Sequence, residues 1–425
     1  MPWTSAALIV TALLVASMWP GGSFSSSDLA GAAKVSTSPP TRLPSNCTPT
    51  TGLVHSVEDH PTARIATDGL APIKDLGIQP ALLTSSQWRS LLRLARRAGV
   101  GVVNVGVGWS GLEPDGPHLS GSVLAKLDSF VSDARRDHLA VRFQLTGFPQ
   151  WARAAGDPSE SAQPWYAPTQ RAELERWATW VKSVVRHFGT KVSFYEIWNE
   201  ENISQFWPQG PNPRQYAALL ACSYDAAKAA NAGVTIVSGG LSTNDVGFLQ
   251  ALYRYLDRYH DAAPLNDFFD LLGVHPYSGG RPPALVSSRW DTQGMWGLDD
   301  ANFLGFTRLH DVMSQHHQGS KQIYIGEYGA PVSGSVPVSI NGFATVPAAT
   351  QAKWVTLAYR LSARYRYVAA LSWFAFYPDA YDPPAWAIVR NGGATSTHTA
   401  PTTRWTPTGS FRALAKVPSE PLIRR

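Results

Sequence analysis

Residues 169–202 read TQRAELERWATWVKSVVRHFGTKVSFYEIWNEEN. In 169–188, Trp177, Trp180, Val181, Val184 and Val185 recur at helical spacing, with polar residues on the other face. Gly189 stops that pattern, and KVSFYEI (191–197) reads as a short apolar strand. The strand runs straight into Trp198, Asn199, Glu200 and Glu201, acids crowded together in a chain that is only 16% charged. A helix, a strand, then chemistry-bearing residues at the strand's C-terminal end form a unit whose recurrence would decide the fold.

The unit recurs in both directions. Upstream lie a strand at 76–79, a helix at 85–99, a strand at 101–109, a helix at 122–138 and a strand at 140–148. Downstream, helices at 212–231, 248–260, 300–317 and 350–365 alternate with strands at 234–240, 268–277, 322–329 and 368–377, before a short helix at 408–417. The strands are apolar throughout, as in a parallel sheet buried on both faces. Eight strand–helix units between residues 75 and 417 predict an α/β chain folded as a single (β/α)8 TIM barrel. An open doubly wound sheet would want a glycine-rich phosphate loop after an early strand. VGVGW (105–109) is glycine-rich, but neither GxGxxG nor GxxxxGK[ST] occurs.

Before the barrel, residues 6–18 (AALIVTALLVASM) form an apolar run short for a bilayer span, followed by small residues. We expect residues 1–33 to be a signal peptide or N-terminal anchor, although no Lys or Arg precedes the run. Residues 34–74 are rich in Ser, Pro and Thr and read as a linker and extended lead-in, and 418–425 as a C-terminal tail. The expected location is secreted or cell-envelope associated, with cell-wall or membrane-surface association through the N-terminus. Of the two cysteines, Cys222 sits at helical spacing in ALLACSY and reads as a buried free thiol. A bridge to Cys47 is compatible with an oxidising compartment, but spacing does not show one.

The net charge of +5 is largely terminal, and no basic stripe interleaves with aromatics, which argues against nucleic acid as a partner. The chain has no Cys/His cluster, so no metal is expected, and none of its motifs calls for a cofactor. It holds 16 Trp, 15 Tyr and 16 Phe. Most such rings build core, but together with acidic loops they also suit a cleft that stacks sugar rings.

In a barrel the reactive side chains gather at the C-terminal strand ends. Those ends carry Trp109, Trp151, Trp198, Asn199, Glu200, His275, Tyr277, Glu327, Tyr328 and Trp373. Glu200 follows the fourth strand and Glu327 ends the seventh, so they face each other across the barrel mouth. Hydrolysis of a glycosidic bond needs such a pair: one carboxyl protonates the leaving oxygen while the other attacks the anomeric carbon or activates water. Each is weighed against a structural carboxylate at a strand end. Glu196, two residues before Trp198, reads as a buried hydrogen-bonded support, and Glu201 as a loop or supporting acid. His275 is balanced between ligand contact and a structural histidine. Glu113 and Asp115 read as turn residues, and His316–His317 as a helix end.

WNE after the fourth strand and EYG after the seventh resemble the retaining (β/α)8 glycoside hydrolases of clan A. EIWNEEN, FWPQGPNPRQYAALL (206–220), GVHPY and IGEYG most resemble family 39, which includes β-xylosidases, α-L-iduronidases and bacterial endoglycosidases; the likeness covers about residues 75–417. By this resemblance Glu200 matches the acid/base and Glu327 the nucleophile. Asn199 matches the residue that bonds the sugar 2-hydroxyl. His275 and Tyr277 match the pair beside the nucleophile, and Trp373 the aromatic floor. The resemblance implies a polysaccharide or oligosaccharide substrate and no cofactor. Where the family pattern has Pro after WNE, this chain has Glu201, an extra acid able to alter the pH profile by like-charge repulsion. The accessory β-sandwich of several family 39 members is not expected here. We expect Glu200 to have a raised pKa and Glu327 a normal or lowered one. The strand-end aromatics favour internal cleavage. The alternatives are a transglycosylase with the same two glutamates, a non-catalytic glycan- or cell-wall-binding protein, and, more distantly, a metal-dependent barrel hydrolase.

Overall fold

The computed structural model describes residues 47, 71–154, 165–257, 268–286, 302–333, 339–340, 343–379, 384–391 and 404–419. Eight parallel strands close into a barrel: β1 Ile73–Gly77, β2 Val102–Gly108, β3 Ala140–Thr146, β4 Phe194–Ile197, β5 Thr235–Ser238, β6 Leu271–His275, β7 Gln322–Tyr328 and β8 Val368–Trp373. Each strand pairs with the next, β8 returns to β1 (Ile73 opposite Ala370), and Val237 opposite Leu271 joins β5 to β6. Around it lie α1 Ser85–Arg97, α2 Gly121–Arg136, α3 Arg171–Phe188, α4 Pro213–Ala230, α5 Val246–Leu256, α6 Phe306–Gln315, α7 Ala348–Ser362 and α8 Gly409–Lys416. The (β/α)8 barrel expected from the alternation is the observed fold. The N-terminal leader, most of the lead-in and most of the C-terminal tail lie outside the described residues.

The helices start where local chemistry satisfies their free N–H groups. Gln87 Oε1 accepts from Thr84 N–H before α1, and Asn212 Oδ1 accepts from Arg214 N–H at the start of α4. Glu173 accepts from the N–H groups of Ala154, Thr169 and Gln170, so one buried carboxylate both caps α3 and holds the chain leaving β3. The apolar stripe of α3 is buried as its spacing predicts, with Trp177, Trp180, Val181, Val184 and Val185 inside the layer between helices and barrel.

Inside the barrel, Ile73, Val102, Phe194, Val237, Leu271 and Ala370 form an apolar layer. Above it lies a charged one. Arg142 on β3 pairs with Asp75 on β1 at 3.0 Å and with Glu196 on β4, and Asn104 and Tyr324 also donate to Asp75. Breaking such a buried pair by removing one partner costs about 3–5 kcal/mol. Glu196 is therefore a buried support, as its alternation indicates. This layer also explains a displaced strand. The first strand was expected at 76–79 and runs from Ile73, because Lys74 and Asp75 hide it from a hydrophobic pattern. Both are buried, Lys74 by bonding Ala98 O at 2.7 Å.

Cys222 is not a free thiol: it is bonded to Cys47, 175 residues away. Helical spacing shows that Cys222 faces inward, but the partner arrives from the lead-in, which local periodicity cannot register. Among the described residues, no helix is long and apolar enough to cross a membrane.

Candidate active site

β4 ends in an unusual turn. Trp198 (φ 73°) and Glu200 (φ 42°) both adopt left-handed backbone, a conformation that L-residues hold only when their surroundings enforce it. The turn swings Trp198 out of the strand's alternation into the helix layer, where it packs against Trp165, Trp177 and Trp207 and donates to Phe206 O at 2.8 Å. Asn199 and Glu200 are left at the barrel mouth. Asn199 Oδ1 accepts from Gln144 Nε2 at 3.0 Å, so its N–H2 is the group it has to offer a ligand.

Glu200 meets Glu327 across the mouth, with His275 between them. His275 Nδ1 lies 3.1 Å from Glu200 Oε1 and 3.8 Å from Glu327 Oε2, and Tyr277 donates to Glu327 Oε2 at 2.8 Å. One polar atom from each of Glu200, His275 and Glu327 lies within 4.8 Å of the other two. Burial raises Glu200 to about 7, with a Ser242 hydrogen bond pulling slightly the other way. Glu327 also moves upward by burial, where a normal or lowered value was expected; His275, the Tyr277 hydroxyl and Arg142 offset part of the rise, while Glu200 adds to it. Its side chain is 27% exposed to the cleft, so solvent softens that burial. His275 is fully buried and pushed down to about 4, so it is neutral at pH 7. The three groups are close enough to converge on a cation, yet Nδ1 already faces Glu200 and Oε2 is engaged by Tyr277.

The structure thus brings together Asn199, Glu200, His275, Tyr277 and Glu327. Other aromatic candidates lie elsewhere. Trp109 is fully buried, stacked between Phe148 and Trp180, and bonded through its N–H to Glu113 at 2.7 Å. Trp151 is half-buried, packs edge-on against Trp109 and donates to Glu113 O. Tyr328 and Trp373 are buried against each other outside the barrel. Strand alternation is the reason: Glu327 faces in, so Tyr328 faces out, and Trp373 pairs with it in register. These four rings offer the cleft less than their strand-end positions suggested, and Trp198, Trp109, Tyr328 and Trp373 offer no exposed face at all.

The half-buried rings beside Tyr277 are Phe374 and Phe343, neither of them a candidate from the sequence. Half-buried Phe374, one step beyond Trp373, lies with Trp386 and Phe343 around Tyr277, with ring centroids 5.2–6.5 Å apart. Counting the alternation one residue further would have found Phe374. Two further residues, Gly239 and Gly240, make room for the site: a β-carbon on Gly239 would overlap the Glu201 carboxyl, and one on Gly240 the His275 imidazole.

Solved structures with a similar barrel include several glycoside hydrolases. A family 39 glycoside hydrolase from the gut symbiont Bacteroides cellulosilyticus WH2 matches with a TM-score of 0.59 and 20% identity, over 81% of this chain and 63% of that one. A monomeric β-xylosidase from Caulobacter crescentus CB15 matches with a TM-score of 0.54 and 12% identity, over 82% of this chain and 69% of that one. An exo-β-1,4-mannosidase from Opitutaceae bacterium strain TAV5 gives 0.51 and 14%, over 81% and 58%. This chain therefore spans less than two thirds of the first and third of these. No family model and no curated protein sequence matches it. At these identities the likeness is one of fold, and the fold is the one implied by the resemblance of WNE, HPY and GEYG to clan A.

Proposed function

We propose that the protein is an exported retaining glycoside hydrolase acting on a poly- or oligosaccharide, with Glu327 as nucleophile and Glu200 as acid/base. The observation that carries this reading is the approach of Glu200 and Glu327 to within 4.8 Å around a neutral His275. Carboxyl groups stand roughly 5–5.5 Å apart in retaining enzymes and roughly 6.5–9.5 Å apart in inverting ones, and so close an approach of one oxygen from each glutamate favours the shorter class. In the first step Glu327 Oε attacks the anomeric carbon, the bond to the leaving oxygen breaks, and that oxygen takes the Glu200 proton. In the second, Glu200 removes a proton from water, the hydroxide oxygen bonds the anomeric carbon, and Glu327 leaves as carboxylate. A Glu200 raised to about 7 still holds its proton near neutrality, which suits it to the first step. Tyr277 orients the Glu327 oxygen, and Asn199 has an N–H2 to offer the sugar.

The disulfide supports export, since such bonds persist in oxidising compartments. The proposed leader at residues 1–33 fits the same location. Internal cleavage loses its aromatic support, because most of those rings are packed away. Product length decides that point.

The test is a glycan panel of xylans, glucans, mannans, arabinans, uronic-acid polymers and bacterial exopolysaccharides, with products read by mass spectrometry and their anomeric configuration by NMR. Glu200→Gln and Glu327→Gln run alongside. Turnover with retention, abolished in both variants, is the expected result. Turnover surviving in both sinks the site assignment. Transfer to an added sugar acceptor would identify a transglycosylase, and tight binding without turnover a glycan-binding protein.

A further inference from the structure

Glu201 follows the proposed acid/base directly, takes no part in the mechanism above, and is fully buried. An acid in a surface turn would keep its carboxylate in water. This one folds back against Gly239 at the end of β5, where even a methyl group would overlap Oε2. Among the described residues, the donors that face its carboxyl are its own backbone N–H and the Tyr216 hydroxyl, neither in good bonding geometry to an Oε atom. From α4, the buried Tyr216 hydroxyl faces it. That hydroxyl accepts the Gly239 N–H at 2.6 Å and lies 3.1 Å from Ile197 O.

Counting protons decides the state of the group. Tyr216 has one hydroxyl proton, and Ile197 O is placed to receive it. An ionised Glu201 would compete for that proton, and a buried carboxylate that lost it would keep only its own backbone N–H as donor, at a cost of about 1–3 kcal/mol. A carboxylic acid brings its own proton and completes the chain from Glu201 O–H to Tyr216 Oη–H to Ile197 O. The titratable groups facing Glu201 are Glu200 from its own turn and Tyr216 from α4, while β5 presents the backbone of Gly239. Burial, and after it the charge of Glu200, push Glu201 upward to about 8, against its own backbone N–H and the Tyr216 hydroxyl, which favour the charged form.

We propose that Glu201 is a positioning residue: a neutral carboxylic acid, donating toward Tyr216, that pins the left-handed turn from which Glu200 projects. The inference rests on the reading of Glu200 as acid/base. It gives the departure from Pro at this position a purpose, since a neutral acid braces the turn without setting a like charge beside the proton donor.

The test uses the full chain and two readouts. Infrared difference spectra of wild type against Glu201→Gln, taken at about pH 6, report whether position 201 carries a protonated carboxyl. The expected result is loss of one carboxylic-acid carbonyl band, with circular dichroism unchanged. In steady-state kinetics on the glycan found by the panel, Glu201→Ala should lower kcat by about tenfold or more with KM little changed, and Glu201→Gln should restore most of it. No missing carbonyl band, or a Gln variant as impaired as Ala, overturns the proposal. If wild type turns over no glycan, the proposed activity falls, and the infrared spectrum alone then decides the state of Glu201.

Discussion

His275 Nδ1 stands 3.1 Å from Oε1 of Glu200, and the opposite edge of its ring fills the space that Gly240 leaves by having no side chain. A neutral imidazole with its proton on Nδ1 donates to Glu200 Oε1 and leaves Oε2 to carry the acid proton outward. His275→Ala should therefore lower kcat by about one to two orders of magnitude. The alkaline limb of kcat/KM should move upward, because a donor to the ionised form of Glu200 is gone. Gly240→Ala should produce the same kinetic defect from outside the cleft by displacing the ring. Steady-state kinetics against pH, with circular dichroism to verify folding, check both variants.

Tyr277 acts on the other carboxyl. Its hydroxyl bonds Glu327 at 2.8 Å and favours the ionised nucleophile. The proposed mechanism needs Glu327 ionised and Glu200 protonated, so kcat/KM should be bell-shaped, with an alkaline limb near the value of about 7 for Glu200. The two limbs belong to the coupled pair. Tyr277→Phe removes a donor to the ionised Glu327, raises that group further and shifts the acid limb upward by up to about one pH unit. An acid limb that stays in place would show that Tyr277 does not bear on the nucleophile.

Asp225 on α4 has no part in the proposed chemistry and gives a stability prediction. It is buried, and its Oδ2 has no partner among the described residues. Burial raises it to about 8. The folded state therefore holds this proton more tightly than the unfolded chain. That contribution is fully present below the ordinary Asp value of about 4 and is lost as pH rises toward about 8. Asp225→Asn should match wild type near pH 4 and exceed it by about 1–3 kcal/mol at pH 8. Urea denaturation at the two pH values measures the difference, and equal stability at pH 8 would refute it.

The Cys47–Cys222 bond ties the lead-in to α4 across 175 residues. Cys222→Ala should lower stability by about 2–4 kcal/mol, mostly by freeing the unfolded chain. Calorimetry should show a lower Tm in the variant, while turnover well below that Tm is retained. An unchanged Tm would mean that the lead-in adds nothing to the barrel's stability.

Much of this architecture is legible locally. The stripe of α3 and the apolar runs of β2, β3 and β7 announce themselves by period, and capping residues mark the starts of α1 and α4. β1 is the exception, because its Lys74 is buried by bonding the Ala98 carbonyl at the end of α1 and its Asp75 by partners on other strands. Strand-end position brought Glu200 and Glu327 into view, and alternation brought Glu196. Alternation carried one residue further separates Phe374 from Trp373 and Tyr328 from Glu327. Trp198 defeats the count, since its left-handed backbone breaks the period.

Taken alone, the sequence determined the α/β alternation, the number of strands, and which two carboxylates end the fourth and seventh of them. Those features depend on spacing within a few turns of chain. Only the tertiary structure decided which rings meet the cleft, that Cys222 has a partner, that Gly239 and Gly240 accommodate Glu201 and His275, and that both candidate catalytic acids are raised. Burial and protonation are sums over neighbours drawn from distant strands, and no local pattern carries them.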